Sequence, residues 1–320
     1  MQSSALIGHT GFVGSNLMRQ TQFGACFNSS NIAHIAGNEF DLVVCAGVNA
    51  AMWKANAAPE EDWRSIERLL DPLCKARIAR LVLISTIAVF DDSAAGYDEN
   101  TAAYEWNLAY GRHRRRLETA LADRFEGLCI LRLPALFGPG LKKNFIYDLL
   151  NPIPSFLKPT AFDEVLDHTP PPLLAYLRGA YRYKPGMDMY GFERRTDRDD
   201  PNERDFIDIL KASGLDSRRF TNDRSRFQFY DLTRLWRDIT RCLDNDLAVV
   251  NIAAEPLEAG RVCEALTGVR FENSAPQRVD QDIRSVHAGL WGGAGGYLFS
   301  AEDTLERLVA FAGEEERAAA

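Results

Sequence analysis

The ten residues Ala5-Leu6-Ile7-Gly8-His9-Thr10-Gly11-Phe12-Val13-Gly14 constrain this chain more than any other stretch. Three apolar residues make a short buried strand, and a glycine-rich turn comes at once after it. Phe12, Val13, Leu17 and Met18 then recur as the apolar face of a helix. A strand that runs through a tight turn into a helix N-terminus forms an anion site, because free backbone N–H groups and the helix dipole point at one spot. The spacing is G-x-x-G-x-x-G rather than G-x-G-x-x-G, and taken alone such a turn also serves as plain structure. The later strands and helices of the chain decide between the two.

With 320 residues, one large α/β domain or two smaller ones are expected, and there is ample length for a core. A net charge of -8 argues against nucleic acid as a bulk partner. The six cysteines are scattered without CxxC or Cys/His pairing, so they read as buried thiols in a reducing compartment, and no metal site is expected. A first strand beginning by Ser4 and the lack of a long apolar run point away from a signal peptide and a membrane span. A cytoplasmic protein is the expectation.

Cys26-Phe27-Asn28 reads as a second strand ending in Asn28-Ser29-Ser30, with no acidic residue to hold a ribose 2′-hydroxyl. Asp41 to Gly47 is a third strand whose end, Ala46-Gly47, falls at the ligand-binding edge of such a sheet. Trp53, just beyond it, reads equally as a packing residue or a ligand contact. Glu60 to Lys75 has helical spacing that speaks for core packing and nothing more. Leu81 to Thr86 is a fourth strand ending in the hydroxyls of Ser85 and Thr86. Tyr104 to Ala122 is expected as a helix with Tyr110 and Arg114 on one face, and Arg112 to Arg116 as a solvated basic face. Leu128 to Pro134 is the next strand, leading into Phe137-Gly138-Pro139-Gly140.

Beyond this the pattern loosens. Residues 151 to 175, dense in proline, and 184 to 205, dense in charge, are expected as irregular loops covering a cleft in the manner of a lid. Phe227 to Leu243 reads as a helix, Leu247 to Ile252 as a strand, Leu257 to Leu266 and Ala301 to Ala312 as helices, and Glu314 to Ala320 as a frayed tail.

Together these motifs resemble the extended short-chain dehydrogenase/reductase superfamily, which contains sugar-nucleotide epimerases, dehydratases and reductases. The glycine turn is similar to that family's phosphate turn, and Ser85-Thr86 to its strand-end hydroxyls. Tyr110 stands 24 positions after Thr86, a typical interval there, and Leu131 to Gly140 is similar to its "LRxxxxYGPG" segment. The resemblance implies a Rossmann-type doubly wound parallel sheet over residues 1–150, completed by about 225–253. A smaller substrate-binding or lid part would take 151–224 and 254–320. It implies NAD(P)(H), with NADP favoured over NAD, held by Gly8, Thr10, Gly11, Phe12, Val13, Gly14, Asn28, Ser29, Ala46, Gly47, Tyr110, Arg114 and Pro134. Tyr110 would be the general acid/base, with Thr86 or Ser85 orienting the reacting oxygen.

The family's Lys, four residues after the Tyr, is here Arg114. A guanidinium supplies the cation a tyrosine of pKa about 10 needs, yet it does not release a proton into a relay. The implied substrate is a sugar nucleotide or similar polar metabolite. Trp53, Asn144 (beside Lys143), Arg284 and His287 are candidate contacts, and Arg261 and Arg270 are further possible anion partners. Two readings stay open: an NAD(P)-dependent oxidoreductase or epimerase, and a catalytically impaired dinucleotide-binding regulatory or partner-binding protein. In that family the helix carrying Tyr110 is a frequent homodimer surface, but Arg112 to Arg116 speak against an apolar interface there, and the oligomeric state stays open.

Overall fold

The opening strand β1 (Ser4–Ile7) buries Ala5, Leu6 and Ile7 and lies inside a six-stranded sheet. The computed structural model describes residues 3–193 and 200–319. After β1 come α1 (Phe12–Gln20), β2 (Ala25–Phe27), β3 (Glu39–Cys45), α2 (Met52–Ala57), α3 (Pro59–Cys74) and β4 (Arg77–Thr86). Next are α4 (Ala109–Ala122), β5 (Leu128–Leu133) and β6 (Ala135–Phe137). Across the sheet the order is β2, β1, β3, β4, β5 and then the strand Val249–Asn251, every pair parallel.

Alternate residues of each strand face opposite apolar layers. Leu6, Val44, Val82, Leu131 and Val250 pack with Leu17 of α1 and with Leu235 and Ile239 of the helix Leu235–Asp244. Ile7, Val43, Cys45, Leu83 and Ile130 pack with Ile66, Leu69 and Leu73 of α3 and Leu117 and Leu121 of α4. A parallel sheet covered on both faces is the doubly wound Rossmann-type architecture expected from the sequence. The chain leaves β1 for β2 on one side and reaches β3 on the other. Such a switch point opens a crevice at the carboxyl ends of the strands.

The chain divides into two compact units. The first is Met1–Leu141 with Phe227–Leu257 and Asp280–Arg307; the second is Lys142–Arg226 with Glu258–Val279 and Leu308–Ala320. The stretch Asp280–Arg307 thus differs from the expected boundary, which grouped all of 254–320 with the smaller part.

The second unit is more regular than its prolines and charges implied. Pro159 and Pro201 sit at the starts of the helices Pro159–His168 and Pro201–Ser213, where a missing N–H costs nothing. Strands Phe156–Leu157, Met189–Phe192 and Tyr181–Lys184 form an antiparallel sheet. Its residues Leu157 and Tyr181 pack with Phe162, Val165, Phe206 and Leu210. Part of the expected 184–205 loop, residues 194–199, lies outside the described residues.

Three other expectations change. The stretch 227–243 is not one helix: Phe229–Asp231 pairs with β6 as a strand, and the α-helix starts at Leu235. The tail is not frayed, since the last helix runs Ala301–Ala319. The helix expected from Tyr104 starts only at Ala109, because Glu105 Oε1 accepts the N–H groups of Asn107 (2.6 Å) and Leu108 (3.0 Å) and closes a turn there. Tyr104 instead bridges Phe90.

Candidate active site

The carboxyl ends of β1, β3, β4 and β5 bring the expected residues to one edge of the first unit. Gly8 ends β1 with φ +88° and donates its N–H to Phe27 O at 2.7 Å. A β-carbon there would collide with the Ala46 carbonyl, and one at Gly14 with the Gly8 carbonyl, so both glycines are demanded by close backbone approach. Gly11 is the N-cap of α1, with no side-chain cap and no acidic residue in the first turn. Phe12, Val13 and Gly14 come directly after it, so the first-turn N–H groups meet no capping side chain. Thr10 and Gly11 are exposed at this mouth. Such a cradle fits a pyrophosphate, which needs backbone donors and room for close approach.

Neighbouring strand ends complete the edge. Ala46 donates to Ile7 O at 2.9 Å, which sets Ala46-Gly47 beside the turn. Asn28 is committed to its own turn: Oδ1 accepts the N–H of Ser30 (2.9 Å) and its hydroxyl (2.6 Å), while Ser29 is exposed. Pro134 is buried between β5 and β6.

The strand-end hydroxyls separate. Ser85 donates to Glu118 Oε1 at 2.6 Å, whereas Thr86 accepts the Ala88 N–H at 3.2 Å and lies near enough to the Tyr110 phenol to lower its titration. Of the two hydroxyls left open by the sequence, Thr86 is the one beside the tyrosine. Tyr110 is placed by α4, whose first turn is anchored when the Tyr110 N–H donates to Asn56 Oδ1 of α2 at 2.9 Å. Burial holds its phenol above the ordinary tyrosine value. The Arg114 guanidinium and the Thr86 hydroxyl pull it down, and the Asp62 carboxylate pushes it up.

Arg114 lies one turn along α4, its guanidinium carbon 4.1 Å from the centre of the Tyr110 ring. Nη1 donates to Asp62 Oδ2 at 2.6 Å and to Tyr110 O at 3.4 Å. Nη2 donates to Asp62 Oδ1 at 3.0 Å and to Asn49 O. The pair is buried, with side chains 4% and 7% exposed. Asp62 also meets His113 Nδ1 at 2.9 Å. Sequence reasoning missed Asp62, having assigned its helix to core packing alone.

The basic run is therefore not a solvated face. His113 and Arg114 are buried on Asp62, and Arg115 reaches Glu118 at 3.1 Å across the Tyr104 ring. Only Arg116 is exposed, and it lies over Trp63. Glu118 itself grips Arg132 of β5 with both oxygens, at 3.0 and 2.7 Å.

The candidate substrate contacts are more dispersed. Trp53 projects from α2, 59% exposed. Arg284 pairs with Asp282 at 3.0 Å, which holds its guanidinium above the ordinary arginine value. The His287 N–H donates to Ser285 Oγ at 3.2 Å. Both belong to a first-unit segment held by Glu99, which accepts the Ser285 hydroxyl (2.6 Å) and the Val286 N–H (2.8 Å). Lys143, Asn144, Arg261 and Arg270 belong to the second unit. There Asn144 caps the helix Phe145–Leu150 by accepting the Tyr147 N–H, burial lowers the Lys143 amine, and Arg270 pairs with Glu258 at 2.6 Å. Among the described residues no cluster of three or more His, Cys, Asp or Glu is placed to hold a metal, and no helix is long and apolar enough to cross a membrane.

Residues 5–155 match the family described as the RmlD substrate binding domain. No curated protein sequence gives a significant match. Among solved structures, the chain is similar to RMD from Pseudomonas aeruginosa complexed with NADPH: 14% identity, 98% of this chain and 100% of that one covered, TM-score 0.60. It is also similar to a dTDP-4-dehydrorhamnose reductase from Clostridium acetobutylicum (12%, 96% and 98%, 0.60). A third is a UDP-N-acetylglucosamine 4-epimerase from Methanobrevibacter ruminantium in complex with UDP-N-acetylmuramic acid (11%, 98% and 97%, 0.60). These likenesses agree with the extended short-chain dehydrogenase/reductase fold that the motifs resemble.

Proposed function

We propose that the protein is an NAD(P)-dependent oxidoreductase of the extended short-chain dehydrogenase/reductase type, acting on a sugar nucleotide or a similar polar metabolite. One observation carries the reading. The Tyr110 phenol, close to the Thr86 hydroxyl and backed by the Arg114 cation, stands on the same sheet edge as the Gly8–Gly14 turn. Nucleotide-bearing neighbours of the same fold, one complexed with NADPH, lend support.

The turn residues Gly8, Thr10, Gly11, Phe12, Val13 and Gly14 would hold the pyrophosphate through backbone N–H groups. Asn28 and Ser29 would border the adenosine ribose, and Ala46, Gly47 and Pro134 would line the path between. The reduced nicotinamide supplies a hydride when bound. Tyr110, protonated at neutral pH like any tyrosine and raised further by its burial, suits the acid role: it gives its proton to the carbonyl oxygen that is becoming an alcohol. Thr86 orients that oxygen. The phenolate left behind is stabilised by Arg114, which acts as a fixed cation and not as a proton carrier.

The test is binding first. Nicotinamide fluorescence is followed as purified protein is titrated with NADPH and, separately, NADH. Saturable binding is expected, lost in Gly11→Val, where an added β-carbon meets only the Gly8 carbonyl at 3.3 Å and so leaves the turn itself standing. Absence of binding by either dinucleotide removes the enzyme reading. With a substrate in hand, Tyr110→Phe is expected to lower turnover ~10²–10⁴-fold with little change in NADPH affinity. A second reading, a dinucleotide-binding protein without turnover, is favoured by the commitment of Arg114 to Asp62. Binding with no turnover across a sugar-nucleotide panel selects it. Light scattering tests for a homodimer.

A further inference from the structure

Arginine carries five N–H donors in a rigid plane. In Arg114 the four on Nη1 and Nη2 are taken by Asp62, Asn49 and Tyr110 backbone oxygen, and Nε is buried without a partner. A carboxylate that grips both ends of a guanidinium fixes its orientation as well as its position. Here the guanidinium is held with its carbon 4.1 Å from the centre of the phenol ring. Asp62 is itself held, because α3 carries it and His113 Nδ1 lies on its Oδ2. Both terminal nitrogens of Arg114 are thus spent inside the protein, and its one unpaired N–H, on Nε, is buried.

We propose that Asp62 is a positioning residue for Tyr110: it pins Arg114 over the phenol ring with both terminal nitrogens committed, so that this cation serves the tyrosine rather than a dinucleotide ribose. The proposal rests on the reading of Tyr110 as the acid/base and deepens it. The charged groups facing the phenol are Arg114 from its own helix and Asp62 from α3, with His113 beyond the carboxylate, while β4 contributes only the neutral Thr86.

Two roles for Asp62 predict opposite signs. If it acts only as a nearby negative charge, removing that charge lowers the phenol titration. If it positions Arg114, removing it lets the guanidinium leave the ring, and the titration rises. A fluorinated tyrosine, which titrates below tyrosine, is placed at position 110 and its fluorine resonance is followed with pH. The expected result is an upward shift of about one unit in Asp62→Asn, matching Arg114→Gln. A downward shift, or none, overturns the proposal.

Asp62→Asn leaves a buried arginine unpaired, so Asp62→Glu provides a second arm if the first variant does not fold. It keeps the charge and displaces the grip by one methylene. A smaller upward shift supports positioning, and an unchanged titration overturns it. Neither arm uses a dinucleotide, so failure of NADPH binding would remove the proposed function without deciding the role of Asp62.

Discussion

Asp62 on α3 and Glu118 on α4 are both buried carboxylates, and each takes an arginine with both oxygens. Glu118 joins three parts of the scaffold: its own helix, Arg132 of β5, and Ser85 of β4 through a 2.6 Å hydrogen bond. Its arginine lies 5.1 Å from the Phe90 ring centre and 5.7 Å from that of Tyr104. Asp62 joins α3 to α4, and its arginine lies on the Tyr110 ring. The same pairing chemistry thus ties two strands to a helix in one place and sets a cation 4.1 Å from the ring of Tyr110 in the other. What differs is the neighbour, and the neighbour is set by the fold.

The largest effect should come from breaking the Glu118 centre. Arg132→Met leaves Glu118 buried with the half-buried Arg115 as its remaining cation, and a loss of about 3–5 kcal/mol is expected in urea unfolding. The fluorine signal at position 110 should not move in that variant; if it does, the two centres are not separate. Next come the adjacent hydroxyls. Ser85→Ala removes a bond to a charged group and should cost ~1.5–3 kcal/mol while leaving the phenol titration alone. Thr86→Val should cost less, about 1 kcal/mol for the lost Ala88 bond, and push the titration upward by removing the hydroxyl that lowers it. Equal behaviour of the two variants would erase the distinction drawn between Ser85 and Thr86. Arg115→Ala, at a partly exposed side chain over the Tyr104 ring, should cost only ~0.5–1 kcal/mol.

The smallest effect at neutral pH belongs to alkali. Tyr110 and Tyr230 both titrate above the ordinary tyrosine value, first through burial, and Tyr230 further because Asp238 faces its phenol at 2.7 Å. Folding holds these protons more tightly than the unfolded chain does. Their stabilisation is therefore complete below a pH of about 10 and is lost as pH rises through the folded values. Tyr230→Phe should flatten the alkaline fall in stability more than Tyr110→Phe does. The reverse order would mean that the deeper burial of Tyr230 carries no weight.

What the sequence displayed was local. The strand and glycine turn, the Ser85-Thr86 strand end and the four-residue step from Tyr110 to Arg114 all lie within one turn or one strand of each other, where spacing dictates geometry. The β-branched and apolar runs likewise placed the strands to within a few residues. Asp62 and Glu118 were not legible. Asp62 stands 52 residues before Arg114, among the acidic residues of a helix first turn, where a carboxylate needs no partner to be favourable. Arg112 to Arg116 likewise looks uniform in sequence, yet helix geometry sends consecutive side chains in different directions, two of them inward. The prolines of 151 to 175 misled because proline both ends and begins helices, and only the neighbours tell which.

The enclosure of Arg114 and Asp62 has a consequence for ionic strength. Salt screens charges through the solvent between them, and this pair has almost none. Adding salt should weaken the grip of an exposed helix N-terminus on a phosphate-bearing ligand while leaving the environment of Tyr110 as it was. Affinity and proton transfer at this edge would then answer to different solutes, the first to the ionic medium and the second to the packing of α3 against α4.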